Sequence, residues 1–71
     1  MYTLKLVYDP EPVSQTLKES ITFCASIELY TQLGIDAYQN SASTLVFERD
    51  AHRTIAGLYL SNSSRYTVKM M

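Results

Sequence analysis

Cys24 and His52 are the only thiol and the only imidazole in 71 residues, so they form the one possible thiol–imidazole pair. A nucleophilic cysteine needs a base within hydrogen-bond reach and a third group to orient that base. The two residues fall in different elements and no third group is evident. A packed thiol at a strand end and a surface histidine in a turn is therefore the preferred reading. Asp9, Glu11, Glu19, Glu28 and Asp36 are scattered, and no acid/base pair is legible among them. One cysteine excludes an intrachain disulfide framework, and with one histidine it excludes a Cys2His2 zinc finger. The only glycines, Gly34 and Gly57, make no phosphate loop. The expectation is a protein that is not an enzyme, with no metal and no cofactor.

Binding chemistry is concentrated in the second half. Residues 1–40 hold two basic and five acidic side chains, residues 41–71 four basic and two acidic. Arg49, His52 and Arg53 surround one polar turn, and Arg65 and Lys69 share a face of the last alternating run. Such a ridge could contact phosphates, with Tyr59 or Tyr66 stacking on bases. Affinity for nucleic acid grows with the number of phosphates neutralised. Four cations in a chain of net charge −1 fit solubilising charge better. Direct nucleic-acid binding through Arg49, Arg53, Arg65 and Lys69 is thus the second expectation, behind protein binding. Six tyrosines and no tryptophan suit an interface, yet Tyr2, Tyr8, Tyr30 and Tyr66 fit a core face by periodicity.

The elements that must carry these residues follow from periodicity. Residues 2–8 alternate, with Tyr2, Leu4, Leu6 and Tyr8 opposite Thr3, Lys5 and Val7, which is a strand. Asp9-Pro10-Glu11-Pro12 breaks it. Residues 16–23 alternate again, with Leu17, Ile21 and Phe23 on one face and Glu19 the exception, which predicts a β-hairpin. From Ser26, a natural N-cap, Ile27, Leu29, Tyr30, Leu33, Gly34, Ala37 and Tyr38 fall on one side of a helix ending near Asn40. Gly34 on that side suggests close approach of helix to sheet. The alternative is one long helix over residues 13–33, with Gly34 its C-terminal stop. The β-branched and aromatic residues of 16–23 favour the strand. Residues 44–49, 54–60 and 65–71 read as three further strands. The middle one, apolar on both faces, takes a central place.

These elements predict an α+β fold, ββαβββ, in a single domain over residues 1–71: an antiparallel sheet of about five strands with one helix on one face. A chain this short buries only about 60% of the surface that its unfolded form exposes. One helix leaves the second sheet face bare, with Val7, Val46 and one apolar row of residues 54–60 on it. That face, with the polar turn 49–54, is the expected docking surface. Two such faces meeting across a two-fold axis would give a homodimer, with Leu58 in the interface. No stretch is long and apolar enough to span a bilayer, and the N-terminal run lacks the pattern of a signal peptide. The expected location is cytoplasmic, a host cytoplasm if the chain is viral.

The first hairpin, the helix and the hairpin after it look like the β-grasp arrangement. The whole ββαβββ order resembles small phage-encoded anti-CRISPR proteins, in the order of elements and in no diagnostic residue. That resemblance implies a protein that inhibits a host defence complex, protein or ribonucleoprotein, by occupying its surface. Arg49, His52, Arg53, Leu58, Arg65 and Lys69 are the expected binding residues.

Overall fold

The computed structural model describes residues 1–8, 14–62 and 66–70. Along the chain run β1 (Tyr2–Tyr8), α1 (Gln15–Leu33), β2 (Tyr38–Ser41), β3 (Thr44–Phe47), α2 (Asp50–Leu60) and β4 (Tyr66–Met70). The strands form one sheet in the order β2-β3-β1-β4, and every neighbouring pair is antiparallel. β1 and β2 therefore run the same way with β3 between them, the split βαβ arrangement. An α+β fold with an antiparallel sheet is what the sequence predicts. The described residues hold four strands and two helices, not five strands and one helix.

β1 behaves as its alternation requires. Leu4, Leu6 and Tyr8 are buried, while Lys5 and Val7 are exposed. The predicted partner strand over residues 16–23 is instead the first half of α1, and the longer-helix alternative describes it well. Ser14, with extended backbone, caps the helix by accepting the Leu17 N–H on its Oγ at 3.1 Å. Ser26, expected as the cap, lies inside the helix and donates to the Phe23 carbonyl at 2.7 Å. Gly34, at φ 67°, ends it. Its N–H bonds the Tyr30 carbonyl at 3.0 Å, the 5→1 bond of a left-handed helix cap, and the Ile35 N–H reaches back to the Leu29 carbonyl at 3.2 Å. No neighbour lies within 4 Å of a Cβ built on Gly34, so its role is backbone conformation and not close packing.

The inward face of α1 is small and partly polar: Thr22, Ala25, Ser26 and Leu29. Thr22 is fully buried because its hydroxyl donates to the Ala42 carbonyl at 2.7 Å and stands 3.5 Å from the Tyr8 hydroxyl. Leu29 is buried as predicted. Ile27, Tyr30 and Leu33 are exposed, whereas Ile35, just past the end of α1, is buried. The predicted end of the helix near Asn40 is the edge strand β2.

Residues 54–60, predicted as a central strand, belong to α2. The supposed turn 50–53 is its first turn. Ala56, Gly57 and Leu60 face inward at helical spacing, and Asp50 complements the positive end of the helix dipole. An apolar run of this length satisfies either period, so tertiary contacts decide.

Both helices pack on the same sheet face. Leu4, Leu6, Leu45 and Phe47 meet Ala25 and Leu29 of α1 and Ala56 and Leu60 of α2 in one cluster. Tyr66 closes it edge-on against Tyr8, ring centroids 5.8 Å apart. Burial of each large side chain contributes roughly 1.5–3 kcal/mol. No described helix covers the other face. Pairing register places there Thr3, Lys5 and Val7 of β1, Thr44 and Val46 of β3, Tyr38 of β2, and Thr67 and Lys69 of β4. Val7 and Val46 lie on that face as expected, and the row from residues 54–60 does not. No described helix is long and apolar enough to cross a membrane.

Candidate binding surface

Because the inward face of α1 is small, its larger apolar residues point outward. Phe23, Ile27 and Tyr30, at i, i+4 and i+7, form a stripe that Leu33 continues, and they are 56%, 49%, 61% and 40% exposed. The stripe flanks the outer edge of β2. Phe23, Ile27 and Tyr30 line a groove of about 480 Å³ closed by residues 36–39. The Gln39 amide donates to the Glu19 carbonyl at 3.2 Å, tying β2 to the side of α1. β2 pairs with β3 only, so its outer edge has no described strand beside it.

Asp36, Ala37 and Tyr38 also form one wall of a second cavity, about 230 Å³, whose other wall is Glu48, Arg49 and His52. The two cavities are thus one continuous surface: an apolar stripe at the α1 end and two acids with two bases at the α2 end. An apolar centre beside a charged rim is the usual anatomy of a protein–protein interface. Arg49 stands at the N-cap position of α2 with extended backbone, exposed and lining the cavity with Glu48 and His52.

A third groove, about 470 Å³, runs between the helices and is lined by Ile21, Cys24, Glu28, Tyr59 and Tyr66 among others. The Glu28 carboxylate accepts a hydrogen bond from the Tyr59 phenol. That bond, then partial desolvation, then the nearby negative charge hold the phenol above its ordinary pKa of 10.0. Cys24 is an exposed free thiol in this groove, not a packed one. His52 lines a different cavity, so no described cavity joins the thiol to the imidazole. Among the described residues no three potential ligands gather into a metal site.

The residues singled out in the sequence do not form one cluster. Arg49 and His52 come together. Arg53 turns back to the sheet, its guanidinium 5.2 Å from the Tyr2 ring centroid and bonded to Asp50. Leu58 is exposed on α2, not on a sheet face. Lys69 lies on the uncovered face directly opposite Lys5, on the other side of the sheet from Arg53. Arg65 lies outside the described residues. Tyr66 is buried in the core and presents no ring for stacking. Sequence reasoning missed Phe23, Ile27 and Tyr30 as surface residues and Lys5 as a partner of Lys69. The available signal was that residues 15–33, read as one helix, are apolar on more than one side.

No family model matches the chain, and neither a curated protein nor a solved structure matches it.

Proposed function

We propose that this chain is a non-enzymatic protein-binding domain that docks through the outer stripe of α1, the edge of β2 and the rim made by Asp36, Glu48, Arg49 and His52. The observation that carries this reading is the row Phe23–Ile27–Tyr30. Three large apolar side chains about half exposed on one helix face oppose solvation, and such a patch is commonly an interaction site. The polar turn expected to join the docking surface contributes as the Arg49–His52 end of this surface, while the sheet face does not.

Inhibition of a host defence complex is a possible use of such a surface, with a host protein or ribonucleoprotein as target. The element order that suggested it was ββαβββ, and the order here is βαββαβ, so the proposal stands on the surface alone. The test is capture of a stoichiometric partner by the tagged chain and its loss on Ile27→Asp, with circular dichroism confirming that the variant folds. Equal capture by both proteins would refute the surface.

One observation favours a second reading. Lys5 and Lys69 are direct cross-strand partners, and like charges so placed repel. Thr3, Thr44 and Thr67 accompany them, with no acidic residue of the described strands on that face. A phosphate-bearing ligand would relieve the repulsion. Binding of a single-stranded oligonucleotide that weakens with salt and with Lys5→Gln supports it. Salt-independent or absent binding excludes it.

A further inference from the structure

We infer that the occupant of the α1–β2 surface is a second copy of this chain, related by a two-fold axis. The inference rests on the protein-binding reading and names its partner. An isologous contact sets the same patch against itself, so the patch must be self-complementary. This one is: its apolar centre has one charge at its margin, Asp36, and its rim holds both signs, Asp36 and Glu48 with Arg49, beside His52. Across a two-fold axis the acids of one copy can meet the bases of the other. A foreign partner of single charge would be opposed by half of that rim.

The area is sufficient. Aromatic side chains carry 150–250 Å² each. With the stripe about half exposed, it leaves on the order of 400–500 Å² per copy. Two copies together remove roughly 1,000 Å² once the β2 edge is included, about where specific interfaces begin. The edges of the sheet point the same way. β2, Tyr38–Ser41, has neither charge nor proline, whereas β4 carries Lys69. Charge on an edge strand guards against strand addition; β2 lacks charge, and its guards are its four-residue length and the register shift between Gln39 and Ser41. Antiparallel pairing of β2 with its own copy would continue the sheet and bring the two α1 stripes together.

Sedimentation velocity over a micromolar concentration series tests this. The unmodified chain is expected to sediment as a dimer. Ile27→Asp is expected to raise the dimer dissociation constant about tenfold or more. Tyr30→Gln, a milder change, is expected to raise it less and serves if the aspartate variant fails to fold. Leu58→Lys, on the exposed side of α2, is expected to leave the dimer intact. A monomer at high micromolar concentration, a dimer equally tight in folded Ile27→Asp, or, where that variant fails to fold, a dimer equally tight in Tyr30→Gln overturns the inference. A monomer that still captures another protein through Ile27 would overturn the dimer and leave the binding reading standing. A dimer weakened by Ile27→Asp that captures no other protein supports the inference and the binding reading alike.

Discussion

Thr22→Val separates the helical placement of residue 22 from the strand that its alternating neighbours suggest. In the fold the Thr22 side chain is wholly buried, and its hydroxyl donates to the Ala42 carbonyl at 2.7 Å. Valine has nearly the same shape and a similar helix propensity, so the change removes the hydroxyl and little else. The Ala42 carbonyl loses its donor, and the Tyr8 hydroxyl, 3.5 Å away, is left with the Lys18 carbonyl, also at 3.5 Å. An acceptor left unsatisfied in a buried site costs about 1–3 kcal/mol. In a domain of this size that lowers Tm by roughly 5–20 °C. Thr22→Ser keeps the donor and drops one methyl, so its cost is expected to be about 1 kcal/mol or less. Thermal unfolding followed by far-UV circular dichroism ranks the three proteins: parent above serine, serine above valine. On the solvent face of a strand, Thr22→Val would be neutral or mildly stabilising. A valine variant as stable as the parent would refute the buried hydrogen bond and the register of α1 with it.

Gly34→Ala is expected to lower stability by about 1 kcal/mol, because the space is open but φ is 67° and a side chain disfavours the left-handed conformation. Gly34→Asn should recover part of that in the same melting assay. Leu58→Lys is expected to change stability by less than about 0.5 kcal/mol, since the side chain is 66% exposed; a large loss would show that α2 faces the sheet differently. The bond from Tyr59 to Glu28 stabilises the neutral phenol, so its stabilisation is complete below the ordinary value of 10.0 and is lost as pH rises through the higher pKa of the folded protein. In an alkaline absorbance titration one phenol should therefore ionise late, and Glu28→Gln should move it back toward 10.0. An unchanged titration in that variant would remove the bond.

Both outer strands of the chain were legible because each has one wet and one dry face. Tyr2–Tyr8 and Tyr66–Met70 alternate, and alternation survives whatever the neighbours are. In β3 Leu45 and Phe47 face the core by the same alternation, although Val46 between them is buried as well. The site was only partly legible. Glu48, Arg49 and His52 are close in sequence and share a cavity wall, yet their companion Asp36 arrives from the link between α1 and β2. Phe23, Ile27 and Tyr30 could not be recognised as surface, since apolar side chains point to a core unless something else fills it.

The sequence by itself determined composition and the strands near the two ends of the chain; its break at Asp9-Pro10-Glu11-Pro12 lies outside the described residues. Tertiary structure decided the state of residues 15–23 and 54–60 and the identity of the inward faces. In both segments apolar residues are dense enough to match a period of 2 or of 3.6, so local preference is nearly balanced. The balance was tipped by what lies opposite. The Ala42 carbonyl accepts the Thr22 hydroxyl, and the sheet admits only small residues such as Ala25, Ala56 and Gly57 beside Leu29 and Leu60. Filling that narrow space with the small side of each helix turned the large side of α1 outward, because a close-packed interior selects volume before hydrophobicity.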